Sequence, residues 1–95
     1  MKEPCVYIMA SKRNGTLYTG VTSNLSRRVH EHKLAKAPGF TKAYGCTLLV
    51  WYETYERMDE AIAREKPIKA GPRKAKLRLI EGTNPHWRDL YAAFA

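Results

Sequence analysis

The stretch LYTGVTSNLSRRVHEH, residues 17–32, holds side chains whose types and spacing could do chemistry. Arg28 and His32 are four residues apart, so on a helix they share a face. An arginine presents a planar fork of donors to an oxyanion, and a histidine can take or give a proton near neutral pH. Tyr18 and Gly20 precede them in a strand-like pattern, and a second tyrosine, Tyr7, sits in an earlier one. His30 and His32 fall on different helical faces, so a paired-histidine metal site is not expected.

The tyrosines can be related through the turn between their strands. CVYIMAS and TLYTGV are short and β-rich, and Asn14-Gly15 between them is a strong hairpin signal. With those two residues as the loop, Arg13 pairs with Thr16, Ser11 with Tyr18, and Met9 with Gly20. Tyr7, Met9 and Ser11 then share a face with Tyr18 and Gly20, and Gly20 leaves a gap beside the two rings.

A carboxylate stands out farther along. In ERMDEAIAREK the apolar positions are Met58, Ala61 and Ile62, which puts Glu65 on or beside the stripe that faces the core. An unpaired charge there is costly. An arginine partner, a place at the rim of a cleft, or a metal ion would each relieve it. A hard oxygen ligand near phosphates is what Mg²⁺ uses, with one or two protein carboxylates and several waters.

These residues need elements to hold them. After the hairpin, TSNLSRRVHEHKLAK reads as a helix capped by Ser23 or Asn24, with Leu25 and Val29 one turn apart. APGFTKAYG reads as a loop. TLLVWYE is apolar on both faces, as expected of the central strand. ERMDEAIAREK is a helix with acids first and bases last, and Pro67 predicts an end or kink near Lys66. Gly71-Pro72 opens a further helix closed by Gly82. Asn84 and Pro85 open a short last one, in which Asn84 is either an N-cap or a site residue. The order β-β-α-β-α-α-α makes an α+β fold, a three-stranded antiparallel sheet flanked by helices.

The chain has 95 residues, enough for a single domain (1–95) with one modest core and no separate specificity domain. Its formal net charge of +8 favours a polyanionic partner. Between Asn24 and Lys42 lie Arg27, Arg28, Lys33, Lys36 and Lys42 against one acid. Between Arg64 and Arg78 lie seven bases, among them Lys69, Arg73 and Lys74, again against one acid. On one side of the fold they form a phosphate-binding surface; otherwise they are solvated helix faces. Cys5 and Cys46 match no zinc-ligand spacing and read as buried free thiols. With no apolar run long enough to span a bilayer, the chain reads as cytoplasmic.

Together these motifs resemble the GIY-YIG nuclease superfamily, in its small stand-alone bacterial form. CVY at Cys5–Tyr7 and YTG at Tyr18–Gly20 resemble the two halves of the defining motif. NLSRRVHEH is similar to its N-L-x-x-R-V-x-x-H helix, AIAREK to the helix with its metal-binding glutamate, and NPHW to its late asparagine. The resemblance implies a divalent-metal-dependent endonuclease using one Mg²⁺ or Mn²⁺. It implies phosphodiester hydrolysis in nucleic acid, DNA ahead of RNA, on structured or single-stranded substrates, in repair or recombination. Carried to this chain, Tyr7 and Tyr18 are the motif tyrosines, Arg28 the catalytic arginine and Glu65 the metal ligand. Gly20 is the motif glycine, His32 stands where relatives have histidine or tyrosine, and Asn84 lies near the site. Gly20, Lys33, Lys36, Lys42, Lys69, Arg73, Lys74 and Asn84 are the expected nucleic-acid contacts. Either Tyr7 or His32 would serve as general base. The chain departs from the pattern at Cys5, Val6, Thr19 and Pro67, and the last bears on the aim of Glu65. A non-catalytic nucleic-acid-binding module on the same fold is the alternative.

Overall fold

The computed structural model describes residues 2–34 and 45–94. Three strands, β1 (Cys5–Ala10), β2 (Leu17–Thr22) and β3 (Leu48–Thr54), form an antiparallel sheet in the order β2-β1-β3. Helix α1 (Leu25–Lys33) follows β2, and α2 (Met58–Ala70) and α3 (Arg73–Thr83) follow β3. A 3₁₀ turn spans Leu90–Phe94. The α+β class is as expected, but β1 is the central strand, not β3. All six β1 residues are fully buried, whereas β3 ends half-buried and exposed at an edge.

Alternation along β1 divides the core. Cys5, Tyr7 and Met9 point to one face, where Leu25 and Val29 of α1 pack on them. Val6, Ile8 and Ala10 point to the other, under Ala61 and Ile68 of α2 and Ile80 of α3. A bulge in β3 pairs Ile8 with Trp51 but Met9 with Leu49. Val50 is the extra residue, so Val50 and Trp51 lie on the same face.

The hairpin register differs from expectation by two residues. Met9 pairs with Tyr18, and Tyr7 with Gly20. The tight turn is Lys12–Gly15, closed by the Gly15 N–H donating to the Lys12 carbonyl at 2.9 Å. Asn14 takes the left-handed position (φ 59°), which asparagine tolerates. A second bond, Ser11 N–H to the Thr16 carbonyl at 3.0 Å, lengthens the connection. Because the slip is two residues, the faces are preserved.

The helices depart from the reading in places. Asn24 caps α1, accepting from the Arg27 N–H at 3.2 Å. Helix α2 continues through Pro67 to Ala70 rather than ending near Lys66. Pro67 lies in its last turn and the i−4 residue, Ala63, is exposed, so water can take the carbonyl that proline leaves unbonded. Helix α3 runs past Gly82 to Thr83, with Asn84 as its C-cap. Asn84 and Pro85 therefore do not open a helix, and the final element is the 3₁₀ turn starting at Leu90. Among the described residues, no helix is long and apolar enough to cross a membrane.

Candidate active site

The site is built on the α1 face of the sheet. Leu25, Val29 and His32 form the buried stripe of α1, so the histidine occupies the last core-facing place of an otherwise apolar row. That drives its imidazole onto β1 and β2. Its Nε2 lies 2.9 Å from the Tyr7 hydroxyl. Its ring centroid is 5.5 Å from that of Tyr7 and 5.0 Å from that of Tyr18. The two tyrosine rings are 6.3 Å apart.

Gly20 is what lets Tyr7 lie flat. It sits directly opposite on β2, and a Cβ there would fall 2.5 Å from the Tyr7 hydroxyl oxygen. The ring occupies the space a side chain would need.

Arg28, half-buried one turn before His32, bears on Tyr7 and donates from Nε to Glu31 at 3.0 Å. Glu31 also pairs with Arg27 at 3.5 Å. It was not among the expected site residues, although its i+3 spacing from Arg28 was a readable signal.

The electrostatics follow from burial. Desolvation, helped by Tyr18, drives the Tyr7 hydroxyl well above the ordinary phenolic range, while Arg28 pulls the other way. Desolvation, then the Arg28 charge, pushes His32 down to about 4, against a weaker pull from Glu31. At neutral pH the pair is a phenol against a neutral imidazole. The buried His32 Nδ1 has no hydrogen-bond partner among the described residues.

Glu65 lies on α2, which packs on the opposite face of the sheet, between buried Ala61 and Ile68, and its side chain keeps 14% exposure. Ile62 faces outward instead. The partner of Glu65 is Lys69, with Nζ 3.6 Å from its carboxylate, rather than an arginine. The same Nζ lies 5.9 Å from the Tyr18 ring centre, linking Glu65 to the edge strand β2. No group of three His, Cys, Asp or Glu side chains among the described residues could cage a metal. A single carboxylate fits a hard cation that draws its other ligands from water and phosphate, and does not fit a multi-ligand zinc site.

The remaining expected contacts scatter. Lys33 donates to Asp89 at 2.6 Å and to the Thr47 carbonyl at 2.8 Å, tying α1 to the segment before the 3₁₀ turn. Arg73 holds the hairpin by the carbonyls of Asn14 and Gly15, at 3.0 and 2.7 Å. Lys69 and Lys74 are exposed. Lys36 and Lys42 lie outside the described residues. Asn84 is buried, and its Nδ2 donates to the Val50 carbonyl at 3.1 Å, satisfying the bulged residue. Its Oδ1 accepts from the Arg88 N–H at 3.0 Å. Both cysteines are buried and free, with Cys5 pushed up to about 12 by desolvation.

With this geometry in place, the comparisons are decisive for family. The profile of the GIY-YIG catalytic domain matches residues 3–78. The chain belongs to the GIY-YIG nuclease family. A UPF0213 protein of Staphylococcus haemolyticus is 38% identical over 81 residues, covering 85% of this chain and 98% of the relative. A UPF0213 protein of Staphylococcus aureus is 40% identical over 76 residues, covering 80% and 92%. No solved structure matches. Tyr7 and Tyr18 both lie on the α1 face of the sheet within the matched span.

Proposed function

We propose that this chain is a divalent-metal-dependent endonuclease that hydrolyses phosphodiester bonds in DNA. It acts as one 95-residue cytoplasmic domain serving repair or recombination. The observation that carries the reading is the 2.9 Å contact between the Tyr7 hydroxyl and neutral His32, with Arg28 against the same hydroxyl. Hydrolysis needs a water activated, charge stabilised at phosphorus and help for the leaving oxygen.

Neither the phenol nor the imidazole is a strong base alone, since burial opposes both charged forms. In series they are better matched. The attacking water gives its proton to the Tyr7 oxygen as Tyr7 passes its own to His32 Nε2, so phenolate never accumulates. Substrate phosphate then opposes the push of Arg28 on His32 and favours the imidazolium. Arg28, oriented by Glu31, offers its remaining N–H donors to a non-bridging oxygen, where developing charge gathers. Tyr18 packs on His32 and fixes its ring. Glu65 would hold the single Mg²⁺ or Mn²⁺, which supplies Lewis acidity at the phosphate. Lys69 must leave Glu65 for this, and it is then free to pair with a phosphate.

The test is a panel of supercoiled plasmid and structured DNA and RNA oligonucleotides, with and without Mg²⁺ or Mn²⁺. Wild type is expected to cleave DNA only with metal, and Arg28→Ala and Glu65→Ala to lose cleavage. Equal residual activity in all three proteins would refute the assignment. The Lys69–Glu65 pair favours one second reading, a non-catalytic nucleic-acid-binding module. That reading predicts salt-sensitive binding and no metal-dependent cleavage of any substrate.

A further inference from the structure

The segment after α3 wraps the free edge of the sheet. Trp87 packs in the core beneath α2 and α3. Only a few residues on, Leu90 and Tyr91 pack on the α1 face. Between them the chain crosses the outer edge of β3, a strand with β1 on one side only. Two side chains fasten the crossing to the backbone of that edge. Asn84 donates to the Val50 carbonyl. Asp89 Oδ1 accepts the Leu49 N–H at 3.1 Å, and the same oxygen accepts the Tyr91 N–H at 3.1 Å. Backbone groups that an edge strand leaves unpaired are thereby satisfied.

The second oxygen of Asp89 has a different use. Oδ2 accepts from Lys33 Nζ at 2.6 Å. That Nζ also donates to the Thr47 carbonyl at 2.8 Å and lies 5.2 Å from the centre of the Tyr91 ring. Lys33 is the last residue of α1 and directly follows His32. A helix leaves the carbonyls of its last turn without intrahelical partners, and that turn frays most readily. His32 needs the turn closed, because its 2.9 Å contact with Tyr7 and its seclusion from water both depend on where the helix end lies. The Lys33 and Asp89 side chains are 28% and 30% exposed, so solvent screens their attraction only in part. A phosphate contact from Lys33 would have to break this pair.

We propose that Asp89 is a positioning residue for the Tyr7–His32–Arg28 site: through Lys33 it clamps the last turn of α1 onto β3 and so aims His32 at Tyr7. The inference rests on the endonuclease reading and adds to it a residue beyond position 78, where the GIY-YIG profile ends. Asp89 acts through Lys33 and not on the substrate.

The test separates the clamp from the edge bonds. Asp89→Asn keeps an oxygen for the Leu49 and Tyr91 N–H groups and removes the charge that holds Lys33. Lys33→Met cuts the same pair from the other side and keeps the apolar stem. Full-length wild type, both single variants and the double variant are compared in three ways. These are steady-state cleavage well below the melting temperatures, DNA affinity in EDTA, and the nitrogen NMR shifts of the His32 ring, which report its hydrogen bond to Tyr7. Each single variant is expected to lower kcat about tenfold, with KM and affinity changed less than about twofold, since a displacement of about 1 Å at a reacting group costs up to about 100-fold. The double variant is expected to fall no further than either single one, because all three remove one interaction. The His32 shifts are expected to move in all three. Loss through KM and affinity in Lys33→Met alone would make Lys33 a phosphate contact and overturn the clamp, leaving the endonuclease reading intact. Lower melting temperatures with kcat and His32 shifts unchanged would also overturn it, since the pair would then only hold the fold. If wild type cleaves nothing, the endonuclease reading fails and the His32 shifts alone decide the clamp, unchanged shifts overturning it.

Discussion

Acid should destabilise this protein through His32. The imidazole is 3% exposed, and in the fold its pKa drops to about 4 from an ordinary 6.5. Above the ordinary value, folded and unfolded chains both carry neutral His32 and the group does not affect stability. Between the two values the unfolded chain binds a proton that the folded chain refuses, so stability falls as pH falls. Below about 4 both states are protonated and the loss is complete. The interval corresponds to about 3 kcal/mol, of which roughly 2 to 3 is already lost at about pH 4.5. For a small domain stable by about 5–15 kcal/mol that is a large share. The assay is urea unfolding at neutral pH and at about pH 4.5, on wild type and His32→Gln. Glutamine keeps a hydrogen-bonding group for Tyr7 but does not titrate, so the difference between the proteins removes the contribution of every carboxylate. Wild type is expected to lose about 2 to 3 kcal/mol more than the variant. Parallel losses, or a His32 resonance titrating near its ordinary value, would refute the reasoning.

Two further outcomes follow from the geometry. Gly20→Ala puts a methyl 2.5 Å from the Tyr7 hydroxyl, and that ring is fully buried with no room to retreat. Thermal unfolding should show a loss of about 1–3 kcal/mol, with cleavage reduced more than about tenfold as Tyr7 leaves His32. Asn84→Ala strands the Val50 carbonyl and the Arg88 N–H. It is expected to cost about 2–4 kcal/mol of stability without changing nucleic-acid affinity of the folded protein, and weaker binding at equal stability would restore a contact role to Asn84.

Much of the site could be read locally. The four-residue spacing of Arg28 and His32 is a property of one helix, and Leu25 and Val29 mark which side of it is buried. The two tyrosines reach a common face because strand alternation has a period of two, which survives the hairpin's two-residue slip. The slip itself was not legible, since it arises from the Lys12–Gly15 turn and the Ser11–Thr16 bond beyond it. The strand order, by contrast, is written in the composition: CVYIMA is apolar at all six positions, as a central strand covered on both faces should be, whereas TLLVWYE begins with Thr47 and ends with Glu53, as suits an edge.

Sequence alone determined the kinds of groups present, their phase on each element and the family. It could not determine what each charged group is used for, because that depends on partners distant in the chain. Lys33 is bound to Asp89, Arg73 to the hairpin carbonyls and Asn84 to the bulge at Val50. Only the tertiary structure turned the buried end of α1 into a low-dielectric pocket that holds His32 neutral against Tyr7. Only it made Lys76 a wall of two cavities. Such properties depend on which groups exclude water from one another, and that is fixed when the sheet and helices close.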